Sequence, residues 1–222
     1  MEDTPYYNAG LGSVTTSNGT IEKEAILIDG NGEVGSASLI PGGFSPLKIS
    51  KCLIEKNNNQ IIKLSGTGAT DYYMNNCMKG GTYLDFNELY GTIGCVCIDK
   101  QNKLAASSST GGMLNKLPGI IGDSGIIGHG TYANNNTCAI SCSGIGEYFS
   151  KEVAAYQIHL RYKQGYSLQN SVKYVLNRVN VIGGDGGIIA LTKYNELVVS
   201  NTKMGKLIYG YLTTDGNIYI ST

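Results

Sequence analysis

The residue with the most chemistry to offer is Thr92, which follows Gly91 and opens the alternating run Ile93-Gly94-Cys95-Val96-Cys97-Ile98-Asp99. A threonine hydroxyl is a weak nucleophile. If the peptide bond before it is cut, the freed α-amine can act as general base for the residue's own Oγ, and an amine pKa of about 8 suits work near neutral pH. Gly91 fits a self-cleaving bond, because a residue without Cβ reaches backbone angles barred to others and can hold strain there. A Gly-Thr pair on its own says little.

Few other residues compete for a catalytic role. The chain has only two histidines, His129 and His159, and His159 falls on a helical stretch, where it reads as a surface or half-buried side chain. Ser-His-Asp catalysis is therefore poorly supplied. The six cysteines lack paired Cys-x-x-Cys spacing and read as reduced, core-filling residues in preference to zinc ligands or disulfide partners. Cys95 and Cys97 alternate along a strand and so face the same way, with no histidine close by.

The elements that must position Thr92 follow from pattern. Residues 92–98 and 104–109 read as paired strands around the polar turn Asp99-Lys100-Gln101-Asn102-Lys103, with further strands at 138–142, 188–192, 197–201 and 218–220. Val14-Thr15-Thr16 and Ile26-Leu27-Ile28-Asp29 flank Ser17-Asn18-Gly19, a hairpin signal because Asn-Gly accepts positive φ. A helix with Ser45 as N-cap and Pro46 in its first turn runs to about Lys56, ended by Asn57-Asn58-Asn59. Phe149, Val153, Tyr156 and Leu160 recur at helical spacing through residues 147–162, as do Val172, Val175, Leu176 and Val179 through 168–179. Residues 77–90, with Lys79-Gly80-Gly81, read as a mobile linker that would leave a new N-terminus at Thr92 free.

Composition sets the outer limits. A 222-residue chain that is 41% hydrophobic can bury one sizeable core, so a single domain over residues 1–222 is the expectation. Lys+Arg and Asp+Glu both number 17, with no charged block, which argues against nucleic acid or an anionic membrane as partner. No apolar run approaches the roughly 20 residues of a membrane span, and Met1-Glu2-Asp3-Thr4-Pro5 lacks an apolar leader core. The expected location is the cytoplasm.

Leu104-Ala105-Ala106-Ser107-Ser108-Ser109-Thr110-Gly111-Gly112-Met113, then Asn115-Lys116-Leu117-Pro118-Gly119, Gly122-Asp123-Ser124 and Gly130-Thr131-Tyr132-Ala133, resembles the plant-type asparaginase and isoaspartyl peptidase family. These are N-terminal-nucleophile hydrolases that cut themselves before a catalytic threonine. The likeness continues in Cys142-Ser143-Gly144-Ile145-Gly146-Glu147, Gly183-Gly184-Asp185-Gly186-Gly187 and Asn201-Thr202, and upstream in Asn8-Ala9-Gly10-Leu11-Gly12 and Ile28-Asp29-Gly30. It implies an α+β fold, a four-layer αββα sandwich, which periodicity alone leaves at mixed α and β.

The resemblance also implies roles. Autocleavage falls between Gly91 and Thr92, leaving an α-subunit-like part, residues 1–91, and a β-subunit-like part, residues 92–222, assembled as a homodimer of processed units. Thr92 is the nucleophile and Thr110 the second threonine supporting it. Ser143 and Gly144 form the oxyanion hole, with serine where the family usually has threonine. Asn8 either lies near the nucleophile or caps the turn before Gly10. Asp123 pairs with the substrate α-ammonium, and Gly146 lines the pocket. The loop opened by Glu2 and closed by Leu11 resembles one that binds sodium through backbone carbonyls; no organic cofactor is implied.

Two positions depart from the family pattern. Ile120 stands where the family carries an arginine that grips the substrate α-carboxylate, and Lys116 and His129 are the nearest basic residues in sequence. The family's opening strand, His-Gly-Gly turn and helix have no counterpart before Met1, which predicts an uncovered strand edge or cavity. The leading expectation is an autoprocessed hydrolase releasing aspartate from β-aspartyl peptides or asparagine. A catalytically impaired or truncated homologue with a structural or dimer-partner role, and a narrow endopeptidase or glycosylasparaginase-like enzyme, are the other readings.

Overall fold

The computed structural model describes residues 1–56, 61–78, 91–203, 205 and 207–221. The alternating run after Thr92 forms β4 (Ile93–Ile98), which pairs antiparallel with β5 (Leu104–Thr110) as the sequence predicts. Their turn is held by Asp99 Oδ1, which accepts the Gln101 and Lys103 N–H groups, each at 2.8 Å. Asn102 there takes a left-handed φ of 59°, which asparagine tolerates.

β5 lies antiparallel beside β1 (Glu22–Asp29), β1 beside β2 (Val34–Pro41), and β3 (Lys63–Ser65) runs parallel to β2. The order of this five-stranded sheet is β3-β2-β1-β5-β4. A second, antiparallel sheet has the order β6-β7-β8-β9, built from β6 (Thr131–Ala133), β7 (Cys138–Gly144), β8 (Gly186–Thr192) and β9 (Leu197–Asn201). A separate ribbon joins β10 (Gly210–Leu212) to β11 (Ile218–Ile220).

Three clusters of buried side chains hold these parts together. Ala37 and Ile40 pack on Ile49 of α1 (Pro46–Lys56) and Ala69 of α2 (Gly66–Asn76), on one face of the first sheet. On its other face, Ile26, Ile28, Leu104 and Ala106 meet Ala133 and Ala139 of the second sheet. The far face of that sheet, Ile140, Ile188 and Val198, is covered by Phe149 of α3 (Gly146–Glu152), Ile158 of α4 (Ala154–Lys163) and Val172, Val175 and Val179 of α5 (Leu168–Val181). Each such aliphatic or aromatic side chain contributes about 1.5–3 kcal/mol by leaving water.

Several expectations need correcting. The single helix predicted over 147–162 is broken at Val153, whose left-handed backbone (φ 46°, ψ 49°) separates α3 from α4. The cause is tertiary: the Ala155 and Tyr156 N–H groups turn to the His129 and Gly128 carbonyls, at 3.0 and 2.8 Å. The Asn18-Gly19 turn forms, with Gly19 at φ 82°, but its arms pair no further than the Thr15–Ile21 bridge and the Thr16–Thr20 contacts, because residues 22–29 are drawn between β2 and β5.

The cysteines divide in three ways instead of sharing one reduced core. Cys52 of α1 and Cys77, just past α2, form a disulfide, their Cα atoms 6.0 Å apart. Cys138 and Cys142 are buried under the helices as expected. Cys95 and Cys97 do share a face, but it is exposed, because β4 ends its sheet and α1 and α2 lie over β1 and β2. His159 is buried, its Nδ1 2.7 Å from the Thr137 hydroxyl. The Asn57-Asn58-Asn59 stop and most of the expected linker, residues 79–90, lie outside the described residues. Among the described residues no helix is long and apolar enough to cross a membrane.

Candidate active site

Thr92 immediately precedes β4, and Thr110 ends β5. Since Ile93 pairs with Ser109, the two threonines meet at the same end of the hairpin. The Thr92 hydroxyl donates to Thr110 Oγ1 at 3.0 Å. Thr110 is buried, and its oxygen also accepts the Gly112 N–H at 3.0 Å, which leaves its own proton available for another acceptor.

Asn8 sets the loop that carries Thr110. Its Nδ2 donates to the Gly112 carbonyl at 2.5 Å, its Oδ1 accepts the Val14 N–H at 3.0 Å, and its own carbonyl accepts the Gly111 N–H at 2.9 Å. The side chain therefore acts on Thr110 through the backbone of the turn. The short turn at Gly10–Gly12 has Ala9 as its N-cap and no side-chain cap bond, so Asn8 does not cap it in the expected way.

Ser143 and Gly144 end β7 beside Thr92. The Ser143 hydroxyl points to the Thr92 carbonyl oxygen at 3.5 Å. Gly144 is crowded: a Cβ there would stand 2.7 Å from Phe149 Cε2 and Gly186 Cα, so a side chain would displace the turn. An open cavity of about 240 Å³ adjoins both residues and is shared with Asp185, Gly187 and Leu207. Asp185 is fixed there by the Thr202 hydroxyl, which donates to its Oδ1.

Asp123 forms the second part of the site. It is 5% exposed, and its Oδ2 has no hydrogen-bond partner among the described residues. A Cβ on Gly146 would stand 2.6 Å from its Oδ1, so glycine leaves the carboxylate its room. Burial first, then the nearby Glu24 carboxylate and more weakly Glu147, push its pKa up to about 7. Such an unpaired, poised carboxylate in a protein interior suits a cationic ligand. Gly144 and Gly146, two residues apart where β7 passes into α3, connect the threonine group to the Asp123 group.

Glu24 escaped the sequence reading. It is buried on β1, and its two oxygens lie 3.1 and 3.0 Å from the Gly122 N–H, which fixes the loop that presents Asp123. A signal was available only as a charged residue within the strand Lys23-Glu24-Ala25-Ile26, where an unpartnered carboxylate would be costly. Burial raises the Glu24 pKa, opposed chiefly by Lys116.

The basic residues nearest Ile120 are already engaged or unsuited. Lys116 is buried, with Nζ donating to the Glu22 carbonyl at 3.0 Å and the Ile120 carbonyl at 3.3 Å; burial lowers its pKa. Burial, with Lys63 nearby, also lowers that of His129. Ile120 itself is part-exposed. Gly91 is exposed, and among the described residues a Cβ there would meet nothing within 4 Å.

Near the N-terminus, Gly10–Gly12 form a short 3-10 turn with the Leu11 N–H on the Glu2 carbonyl at 3.1 Å. A Cβ on Gly12 would run into the carbonyl oxygens of Pro5 and Tyr7, which converge on that point. Such neutral oxygens suit a hard cation. The Glu2 side chain turns inward instead, accepting the Ser45 and Ser109 hydroxyls and the Leu47 N–H, and so pins the loop to α1 and β5.

Similarity to known proteins bears on this geometry. The family model described as Asparaginase matches residues 1–80 and 73–220. The isoaspartyl peptidase of Salmonella typhimurium is 34% identical over 86% of this chain and 71% of its own length. That of Escherichia coli is 32% identical over 95% of the chain and 75% of its own. The human isoaspartyl peptidase/L-asparaginase is 29% identical over 98% and 81% respectively. The chain belongs to the asparaginase family.

Proposed function

We propose that the protein is a threonine hydrolase that cleaves itself between Gly91 and Thr92 and then releases aspartate from β-aspartyl peptides or asparagine. The observation that carries this reading is the 3.0 Å contact between the Thr92 and Thr110 hydroxyls at the end of a hairpin, beside Ser143 and Gly144. The relatives' names support the substrate class.

In the reaction, the α-amine of cleaved Thr92 takes the Oγ proton as Oγ adds to the side-chain carbonyl carbon of the aspartyl unit. Thr110 holds Oγ in line. The tetrahedral oxyanion is met by the Ser143 hydroxyl and the Gly144 N–H, a contribution of roughly 3 kcal/mol per donor. Collapse breaks the C–N bond, the Thr92 ammonium returns its proton to the leaving amine, and an ester on Thr92 remains. Water, deprotonated by the same amine, then frees aspartate. Asp123 pairs with the substrate ammonium throughout.

Residues 1–91 and 92–222 stay together as a processed unit, two of which form a homodimer acting in the cytoplasm on small-molecule or dipeptide substrates, without nucleic acid or membrane. A sodium ion held by the Pro5 and Tyr7 carbonyls would stiffen the loop that carries Asn8; no organic cofactor takes part. Incubating the cleaved protein with β-aspartyl-leucine and assaying aspartate tests the reading. Aspartate release lost on Thr92→Ala is the expected result, and no release from the cleaved parent protein would overturn it.

A further inference from the structure

At the opposite end of the second sheet lies a cleft of about 660 Å³, within the usual range for small-ligand sites. It is built from the turn before β7, the turn after β8 and the end of α4, whereas Ser143, Gly144 and Gly186 lie at the other ends of the same strands. The seven residues of β7 put about 20 Å between the two sites.

The walls of the cleft are aromatic and fixed. Tyr132 and Tyr156 meet edge to face with centroids 5.1 Å apart, and His159 packs on both at 4.8 and 5.3 Å. His159 is anchored behind them by its 2.7 Å contact with Thr137, and burial, with Lys163 nearby, lowers the imidazole pKa. Tyr166 and Tyr194 flank the opening and are 50% and 72% exposed, with the Arg161 guanidinium over the Tyr166 ring at 4.2 Å from its centroid.

The charge at the cleft is positive. Lys163 and Lys193 line it, and among the described residues no carboxylate does. Lys193 lies 5.2 Å from the Tyr194 ring centroid, and neither lysine forms an ion pair among the described residues. Glu196 is an acidic group within electrostatic range of Tyr162, which lines the cleft. Aromatic surfaces beside two ammonium groups that have no carboxylate partner among the described residues fit a flat ring bearing negative charge, the ring packing on the tyrosines and the anion meeting the lysines.

We propose that this cleft is a second ligand site, separate from the Thr92 site, for a planar heteroaromatic anion of mononucleotide size.

Titration calorimetry of the full chain with adenosine monophosphate tests this. Saturable 1:1 binding with Kd below about 1 mM is expected, weakened at least about tenfold by K163E/K193E. Ribose 5-phosphate, which keeps the charge and lacks the ring, should bind at least about tenfold more weakly, since base–aromatic stacking is worth about 1–3 kcal/mol. Saturating aspartate should leave the isotherm unchanged. Absence of saturable binding, a K163E/K193E protein that binds like the parent, equal binding of ribose 5-phosphate, or displacement by aspartate would each overturn the proposal.

Discussion

The Thr92 hydroxyl donates to Thr110 Oγ1 at 3.0 Å across the open end of the β4–β5 hairpin, and the Gly112 N–H fixes the accepting oxygen from the other side. This contact aims Oγ before any substrate arrives. Nearby, Ser143 reaches toward the same residue from the second sheet, so the site straddles the interface of the two sheets.

Ser143→Ala should lower kcat about 100-fold with little change in KM, because an oxyanion donor acts on the transition state and not on the bound substrate. Ser143→Thr should retain activity, since the hydroxyl survives and the added methyl restricts its rotamer. Steady-state kinetics on β-aspartyl-leucine would check both, and an unchanged kcat in the alanine variant would remove Ser143 from the reaction.

Gly146→Ala places a methyl 2.6 Å from Asp123 Oδ1. The carboxylate must then move from the position at which it meets an ammonium. KM for an ammonium-bearing substrate should rise at least about tenfold, the loss of about 1.4 kcal/mol, while the far-ultraviolet circular dichroism stays that of the parent.

Asp123 makes opposite demands on stability and activity. Its folded-state pKa of about 7 lies above its unfolded value of about 3.9, so its contribution to stability is fully present below about pH 4 and lost as pH rises through 7. Asp123→Asn should therefore raise the thermal midpoint at pH 8 by a few degrees and change it little at pH 4. Activity runs the other way. In the parent, kcat/KM should fall as pH drops below about 7, when the carboxylate that holds the ammonium becomes neutral, and Asp123→Asn should be poor at every pH.

Ile120→Arg should lower KM for β-aspartyl substrates with a free α-carboxylate, since Lys116 already spends its ammonium on two backbone carbonyls. A guanidinium at that place would supply a paired donor set that isoleucine lacks. Unchanged KM would show that the pocket handles the carboxylate without a cation at that position.

What the sequence revealed depended on how local each signal was. The β4–β5 hairpin, α1, α5 and β9 were readable because alternation, helical spacing, a serine-proline start and an Asp-to-Asn turn all lie within a few residues of one another. β2 was not, because Gly35, Ser36 and Ser38 break its hydrophobic pattern; Ser36 instead donates to the Gly125 carbonyl of a loop 89 residues away. α2 opens on Gly66-Thr67-Gly68, a poor helix start, and its packing depends on α1 and β2. The kink at Val153 came from carbonyls of residues 128 and 129, outside any local window.

The site divided in the same way. Thr92 stands out by its type and its place before a strand, while Thr110, Asp123, Ser143, Gly144, Gly146 and Asn8 follow from family likeness, and the fold brings them into two adjoining groups. Glu24 and its bond to Gly122, 98 residues on, arise from packing alone and could not be read from spacing. The Cys52–Cys77 disulfide spans a sequence separation of 25 that carries no sign that α1 and α2 lie side by side.

Thr92 can act as nucleophile and base together only as a free N-terminus. The most direct test is the intact mass of the purified protein under denaturing conditions after prolonged incubation, with Thr92→Ala in parallel. Two fragments with the masses of residues 1–91 and 92–222, absent from the Thr92→Ala sample, are predicted. A parent chain that stays whole would contradict the central claim.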